Sequence, residues 1–173
     1  MSGEAARELW DYSLAVYRRP GVSEALIRLQ DAHGADVNLL LWCCWRAVSG
    51  RGAPDAAALA ALVDLAAPWR LRVIEPLRAL RRDMKGGIPG APAADTEPLR
   101  GAIQRAEVEA ERIEQAMLAA RTPAAGVIEA DPAVSARRGM RAYLDLLGAG
   151  DGPEIRSALA AILDGCVGAA DST

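Results

Sequence analysis

Phenylalanine is absent from this 173-residue chain, and aromatic residues of all kinds make up only 4% of it. Because strands are usually built from aromatic and β-branched residues, this composition disfavours a sheet-based fold. The apolar half of the sequence is carried mainly by alanine and leucine, which are strong helix formers. We therefore predict an all-α protein, a helical bundle of about six to seven helices.

Metal-binding and disulfide chemistry also lack their usual residues. The chain has a single histidine, His33, and its cysteines are Cys43, Cys44 and Cys166, with no Cys-x-x-Cys motif among them. Adjacent residues on a helix point about 100° apart, so Cys43 and Cys44 suit neither a metal pair nor a disulfide. We predict buried, reduced thiols, no metal site and no cofactor.

Long apolar runs and a strong charge of one sign are missing too. The apolar stretch from Val37 to Trp45 is far shorter than the roughly 20 residues that a membrane helix needs. The first ten residues, MSGEAARELW, contain acids and lack the apolar segment of a signal peptide. A net charge of −3 gives no reason to expect a nucleic-acid surface. We predict a cytoplasmic location, with neither nucleic acid nor membrane as a partner.

A buried central helix is predicted at residues 37–49, because apolar side chains occur on nearly every face of this segment. The preceding His33-Gly34-Ala35-Asp36 is typical of a helix end, a turn and a helix start. Glycine suits the left-handed residue that closes a helix, and aspartate suits the cap of the next one. Further along, Pro68 should interrupt a helix, and residues 69–85 should form another helix or a kinked continuation. Pro76 should bend the chain near Glu75 or mark the first turn of a new helix.

The clearest linker is GGIPGAPAAD at residues 86–95, with three glycines and two prolines. It separates a tryptophan-rich helical core at 1–85 from a C-terminal part without tryptophan at 96–170. We expect the C-terminal helices to pack on the core as one domain. Residues 171–173 should form a loose tail.

Two helices have apolar positions at helical spacing, which predicts the faces that they bury. In the segment before the linker the predicted seam consists of Val73, Leu77, Leu80 and Met84. In the segment after it a heptad seam consists of Leu99, Ile103, Ala106, Ala110, Ile113, Met117 and Ala120.

The segments LWDYSLAVYRRPGVSEALIRLQDAHGADVNLLLWCCW at 9–45 and PWRLRVIEPLRALRRDMK at 68–85 contain an ordered set of motifs. These are an early aromatic with a tyrosine, then Pro-Gly-Val, Leu-Gln, Gly-x-Asp-Val-Asn-Leu-Leu-Leu, and a Trp followed by Pro-Leu-Arg-x-Leu-Arg. In these motifs the first half of the chain resembles a family of small proteobacterial proteins of unknown function. The resemblance implies a bacterial, cytoplasmic, helical protein, and it brings no established activity and no catalytic residues.

Four polar residues surround the predicted corner and form a candidate polar site: Gln30, His33, Asp36 and Asn38. Histidine is a ready general base near neutral pH, and Asp36 would orient it while Asn38 holds a substrate. The structural alternative gives Asp36 a capping role and leaves His33 at a helix C-terminus, where the helix dipole favours its charge. Asn38 would then fasten a neighbouring loop. We favour the structural alternative and assign no catalytic residues.

Four cations at helical spacing form a second cluster: Arg78, Arg81, Arg82 and Lys85. Residues 70–85 contain six cations and two acids, a local charge of +4. Guanidinium groups match the geometry of carboxylates and phosphates. Three interpretations stay open: a face that is solvated or paired with the glutamates at 107–114, a surface for an acidic protein partner, or a site for a small anion such as phosphate.

The glutamates of the long C-terminal helix form a third cluster: Glu107, Glu109, Glu111 and Glu114. They lie mostly off the heptad seam and lack the Glu-x-x-His motif of di-iron sites, so we expect a solvated face. The large aromatics could line a pocket for a flat ligand, but in a chain without phenylalanine they are better interpreted as core residues. They are Trp10, Trp42, Trp45 and Trp69.

No catalytic set of residues is complete in this sequence, so we favour a non-enzymatic helical protein that serves as an interaction or adaptor module. Its partner would be another protein or a second copy of the chain. The dimer contact would then use Leu99, Ile103, Ile113 and Met117. The alternative is a small-molecule binding protein or enzyme for a phosphorylated or diphosphate metabolite, held by the cluster from Arg78 to Lys85.

Overall fold

The computed structural model describes residues 2–123 and 126–170, which form helices joined mostly by short connections. The helices are α1 (Ser2–Tyr17), α2 (Val22–His33), α3 (Val37–Val48), α4 (Ala56–Trp69), α5 (Glu75–Asp83), α6 (Ala93–Ala120), α7 (Pro132–Leu146) and α8 (Pro153–Ala170). A π-helical turn, Arg70–Ile74, joins α4 to α5. The loose tail predicted at 171–173 lies outside the described residues.

The predicted all-α class and the central helix are confirmed. With α4, the π-helical turn and α5 counted as one helix, the described ranges contain seven helices. α3 packs against α1, α2, α6, α7 and α8, and every residue from Asn38 to Ala47 is buried. Its composition explains this position, because a helix with apolar side chains on nearly every face must be covered by protein.

The corner between α2 and α3 forms as predicted. Gly34 adopts the left-handed conformation with φ 65°, and its N–H donates to the carbonyl of Gln30 at 2.9 Å. These features close α2. Asp36 accepts a hydrogen bond from the backbone N–H of Asn38 at 2.8 Å and so caps α3.

Two prolines shape the chain between residues 56 and 83. The interruption predicted at Pro68 does not occur there, because α4 continues to Trp69 and leads through the π-helical turn into α5, so the chain continues as one of the two alternatives predicted. Pro76 lies in the first turn of α5, which is one of the two arrangements predicted for it. Proline cannot donate the hydrogen bond that would continue an α-helix. The chain accordingly widens just before Pro76, where the N–H of Glu75 donates to the carbonyl of Arg70 in the π pattern.

α5 is rotated away from its predicted seam. Of the predicted residues Met84 is buried, but Leu80 is 48% exposed. Arg78 and Arg81 turn towards α6 instead, where they pair with glutamate side chains. The prediction was wrong because the spacing of apolar residues does not indicate ion pairs with distant residues. Here two cations of α5 pair with glutamates that lie in a distant part of the sequence.

α6 begins at Ala93, inside the predicted linker, and it also buries a different face from the heptad seam. Ile103 and Ala110 are buried as predicted, but Glu107 and Glu114 are buried as well. The seam residues that are exposed are Leu99, Ala106 and Ala120. The acidic cluster at 107–114 is therefore not the solvated face that was predicted, because its inward members find cationic and amide partners on α5 and α3.

The C-terminal helices pack on the N-terminal ones, with α6 along α1, α7 along α3 and α8 along α2. A short antiparallel bridge fastens the loop before α4 to the loop before α7. The N–H of Ala53 donates to the carbonyl of Val127 at 2.8 Å, and the reverse bond is 2.9 Å. Gly52 has φ 66° and lies so close to the Val127 backbone that a side chain would collide with it.

The cysteines are buried and free, as predicted. Cys43 and Cys44 lie on α3, and Cys166 lies on α8. Gly139 of α7 lies against Cys43, where an added Cβ would come 3.3 Å from the Cys43 sulphur. Burial raises the pKa of the Cys43 thiol to about 12, so this sulphur is a packing group rather than a nucleophile.

Candidate functional site

A cavity of about 320 Å³ lies between α1, α2, α3, α5 and α6. Its apolar wall comes from the first three helices and consists of Trp10, Leu14, Ile27, Val37 and Leu41. Its polar wall includes three cations of α5 and two acids of α6, and they are Arg78, Arg81, Arg82, Glu107 and Glu111. A concave site with an apolar wall and a few polar groups has the usual composition of a small-ligand site.

The cations on the polar wall pair with glutamates of α6. Arg78 donates from Nε to Glu107 at 3.0 Å and from Nη2 to Glu111 at 2.9 Å. Arg81 binds the second oxygen of Glu107 through its Nε. Of the interpretations left open by the sequence, internal pairing with the glutamates therefore describes Arg78 and Arg81.

The remaining two cations of the cluster lie further out. Arg82 lines the cavity but is half exposed, and it forms an ion pair with Asp31 of α2 at 3.1 Å. Lys85 is exposed beyond the end of α5. The four cations that share one stretch of sequence are thus divided between a buried network and an outer surface.

The two glutamates that pair with Arg78 differ in their electrostatic environment. Burial raises the pKa of Glu107, but hydrogen bonds from Arg81 and Arg78 outweigh it, so the pKa is lowered overall. For Glu111 burial is the stronger effect and raises its pKa in spite of Arg78. Glu111 is therefore the acid of this wall that takes up a proton more readily.

The candidate polar site is only partly assembled. Gln30 and Asn38 line the cavity. Asp36 is buried behind it, beside an adjoining space of about 10 Å³, which is about the size of one water molecule. His33 is partly exposed in the last turn of α2 and lines neither of these two spaces. Asp36 keeps its capping role, and the geometry gives no base at His33 oriented towards the cavity.

Behind the cavity, two members of the candidate polar site are connected by hydrogen bonds to two buried residues of α6, of which Gln115 was missed by sequence reasoning. Gln115 donates from Nε2 to the Asn38 side-chain oxygen at 2.8 Å, and Asn38 donates from Nδ2 to Glu114 at 2.6 Å. Glu114 lies close to Asp36, and the Oε1 atom of Glu114 and the Oδ2 atom of Asp36 have no hydrogen-bond partner among the described residues. Asn38 was expected to fasten a loop, but it fastens α3 to α6.

One proton shared by Asp36 and Glu114 would satisfy both of these oxygens, because two adjacent buried carboxyl groups cannot both be ionised. Burial first, and then the charge of Asp36, raise the pKa of Glu114 to about 8. Asp36 also has a raised pKa because of burial, although Arg70 and the N–H of Asn38 oppose it. Because the pKa is raised for both carboxyl groups, we expect the pair to retain one proton at neutral pH.

Two buried polar atoms on the cavity lining lack a hydrogen-bond partner within the described part of the chain. They are the Ser13 hydroxyl of α1 and the Oε1 atom of Gln115 of α6. Both side chains are almost fully buried. Since buried polar atoms are nearly always satisfied, these two atoms are acceptors beside the cavity that a water molecule or a hydrogen-bonding ligand could satisfy.

The tryptophans divide between the core and the cavity. Trp42 and Trp45 are buried in the core as predicted, with the indole N–H of Trp42 donating to the Thr122 hydroxyl at 2.8 Å. Trp69 is partly buried and donates to the carbonyl of Ala110 at 2.9 Å. Trp10 alone of the four lines the cavity. No local sequence signal distinguishes it from the others.

A model of the family described as "Protein of unknown function (DUF2390)" matches residues 8–118. The chain belongs to this family. The match includes both segments whose motifs carried the resemblance, and it continues through most of α6, where no motif was recognised. Every residue that lines the cavity, from Trp10 to Gln115, lies inside the matched range. No curated protein and no solved structure matches the chain.

A metal centre and a membrane-spanning helix would each give the protein a different kind of functional site. Across residues 2–123 and 126–170, no group of three His, Cys, Asp or Glu side chains is placed to hold a metal ion. Within the same ranges, no helix combines the length and the apolar character needed to cross a membrane. The cavity is therefore the feature on which a functional proposal is best based.

Proposed function

We propose that this protein binds a small polar metabolite with an anionic group in the cavity between α1, α2, α3, α5 and α6. The observation that carries the proposal is the convergence of Arg78, Arg81 and Arg82 on one cavity whose lining also holds unpartnered buried polar atoms. Guanidinium groups bind carboxylates and phosphates through paired hydrogen bonds. The proposal gives three of the four cations predicted from the sequence a role at the cavity.

The size and lining of the cavity support a ligand of metabolite size. Its volume of about 320 Å³ is at the lower end of the roughly 300–1,000 Å³ typical of small-ligand sites. Trp10, Leu14 and Leu41 offer an apolar surface opposite the charged groups of α5 and α6. A ligand with one apolar side and one charged side fits this division.

Replacing Ile27 with tryptophan should block the site. Ile27 is 39% exposed and lines the cavity, so a larger side chain can enter the space without disturbing the core. A thermal-shift screen of phosphorylated metabolites and organic acids against the wild type should identify ligands. We expect these ligands to bind the Ile27→Trp variant at least about tenfold more weakly than the wild type. Titration calorimetry with the best compound measures the change.

The matched control is Ile128→Trp, because Ile128 is 69% exposed and does not line the cavity. It should bind the same compound as the wild type does, and both variants should keep the wild-type circular dichroism spectrum. The proposal is wrong if no compound stabilises the wild type and native mass spectrometry finds no co-purifying small molecule. It is also wrong if Ile27→Trp binds as well as the control.

An adaptor role is the second candidate function, and one surface favours it. Arg82 and Lys85 are exposed next to Leu80 and Ile88, which are 48% and 43% exposed. Cations beside exposed apolar side chains suit a protein partner with an acidic rim. The self-association proposed along α6 has less support, because Ile103 of that face is already buried within the chain.

An Arg82→Ala/Lys85→Ala variant tests the adaptor role. We expect it to lose a cross-linked partner that the wild type retains, while an Arg105→Ala/Arg112→Ala variant with the same charge change on α6 keeps it. Equal partner retention by both variants would exclude this surface. Sedimentation that shows only monomer at high protein concentration would exclude the homodimer.

A further inference from the structure

The charges on the more buried part of the polar wall, away from the half-exposed Arg82, are already balanced in pairs. Arg78 and Arg81 contact Glu107 and Glu111 across the interface between α5 and α6. A simple anion that displaced one of these carboxylates from a guanidinium would leave a buried carboxylate at Glu107, or a partly buried one at Glu111, without a partner. A simple cation that displaced a guanidinium from its carboxylate would leave that guanidinium without a partner. A buried unpaired charge is costly, so both kinds of ligand meet a penalty here.

A ligand that carries both charges avoids the penalty. Its anionic group can contact the guanidinium groups while its cationic group contacts the displaced glutamate, so every charge keeps a partner. Glu111 is the glutamate best placed for this exchange, because Arg78 is its one arginine partner, whereas Glu107 is held by both Arg78 and Arg81. The cationic group should therefore lie nearer to Glu111.

The free acceptors on the lining point to the same ligand. The Nε2 atom of Gln115 is committed to Asn38, and Asn38 in turn donates to Glu114. The orientation of the Gln115 amide is therefore fixed, and its Oε1 atom can only accept a hydrogen bond. This atom and the Ser13 hydroxyl are buried and have no partner among the described residues. An ammonium group donates up to three hydrogen bonds, enough for both and for a carboxylate.

We infer that the ligand is a small zwitterion of the α-amino-acid class with an apolar side chain. Its carboxylate contacts Arg78 and Arg81, its ammonium group lies between Glu111 and the Gln115 oxygen, and its side chain packs against Trp10 and the leucines of the apolar wall. This inference rests on the proposed function, because it names the ligand class of the same cavity.

Four probes built on one phenyl group separate the contributions of the two charges. L-phenylalanine carries both charges, 3-phenylpropanoate lacks the ammonium group, 2-phenylethylamine lacks the carboxylate, and phenyl phosphate is a stronger anion. Titration calorimetry of the full chain at pH 7 should give L-phenylalanine an affinity about tenfold or more above each of the others. Binding of all four should be lost or strongly weakened in Ile27→Trp.

Two variants test the position of the ammonium group. Ser13→Ala removes one acceptor with little change in volume, and it should weaken L-phenylalanine about threefold to tenfold while leaving 3-phenylpropanoate unchanged. Gln115→Met should have the larger effect of the same kind. Thermal unfolding shows whether Gln115→Met is folded. If it is not, Ser13→Ala and the four probes still test whether the ligand's ammonium group is recognised.

The outcomes distinguish this inference from the proposed function. If phenyl phosphate or 3-phenylpropanoate binds as tightly as L-phenylalanine and Ile27→Trp abolishes that binding, the cavity is an anion site and only the zwitterion inference is wrong. The same conclusion follows if none of the four binds but a compound from the metabolite screen does. If neither the probes nor the screen gives a ligand that Ile27→Trp excludes, both proposals are wrong.

Discussion

Replacement of Arg46 by leucine is expected to lower the free energy of unfolding by about 3–5 kcal/mol, a large part of the stability of a small domain. Arg46 lies near the end of α3 and is fully buried. It donates from Nη1 to the carbonyl of Pro123 at 2.7 Å and from Nη2 to the carbonyl of Arg51 at 3.1 Å. Leucine would leave both carbonyl groups without these hydrogen bonds.

The loss should be large because the guanidinium group joins separate parts of the chain. Its carbonyl partners lie in the loops that carry the bridge between Ala53 and Val127. Its face lies over the Trp42 ring at 5.6 Å from the centroid, so the stem and the charge are both held. Lysine has a single ammonium group instead of the planar guanidinium with its several N–H donors. We therefore expect Arg46→Lys to have a stability between that of the wild type and that of Arg46→Leu.

Urea unfolding followed by circular dichroism measures the effect. Arg112→Leu is the matched control, because Arg112 is an exposed α6 residue whose ion pair is with Glu109 on the same helix. Exposed pairs of this kind contribute only about 0–1 kcal/mol, so the control should unfold close to the wild type. If Arg46→Leu also unfolds within about 1 kcal/mol of the wild type, Arg46 does not stabilise the junction as argued.

Those parts of the fold that are determined by neighbouring residues could be predicted from the sequence. The corner at 33–36 was predicted correctly because its glycine and aspartate act on hydrogen bonds within a few residues of themselves. α3 was predicted correctly because its burial follows from its own composition. In both cases the physical cause and the structural effect lie in the same short segment.

The rotations of α5 and α6 could not be predicted in the same way. The heptad seam from Leu99 to Ala120 contains several alanines, whose small apolar surface fixes the buried face only weakly. Glu107 turns inward because Arg78 and Arg81 neutralise it, and those partners come from another helix. Ion pairing between the two helices therefore determines how they are rotated. Such pairing leaves no periodic pattern in the sequence of either helix.

The candidate site was predicted in part for the same reason. The arginine cluster, Gln30 and Asn38 were selected as unusual polar residues, and they line the cavity, apart from Lys85 at the outer edge. Ser13 and Gln115 were missed and Glu114 was assigned to a solvated face, because a polar residue on a helix is normally assumed to be solvated. Only the packing of α6 against α1 and α3 makes them buried.

The stability of the protein should decrease as the pH rises from about 4.5 to 8, and Glu114→Gln should remove much of this decrease. Glu114 is fully buried, and its folded-state pKa of about 8 is above the unfolded value of 4.5. A carboxyl group with a raised folded pKa stabilises the fold most below its unfolded pKa, and the contribution is lost as the pH rises through the folded pKa.

Glutamine at 114 can still accept the hydrogen bond from Asn38 and can donate to Asp36, but it cannot ionise. At pH 8 to 9 the variant should therefore be more stable than the wild type, by on the order of a few kcal/mol. Urea unfolding at pH 5, 7 and 9 measures the difference. Glu109→Gln, at an exposed position paired with Arg112, should follow the wild-type profile. A wild-type stability that is flat from pH 5 to 9, or a Glu114→Gln variant that is less stable at every pH, would exclude the shared proton.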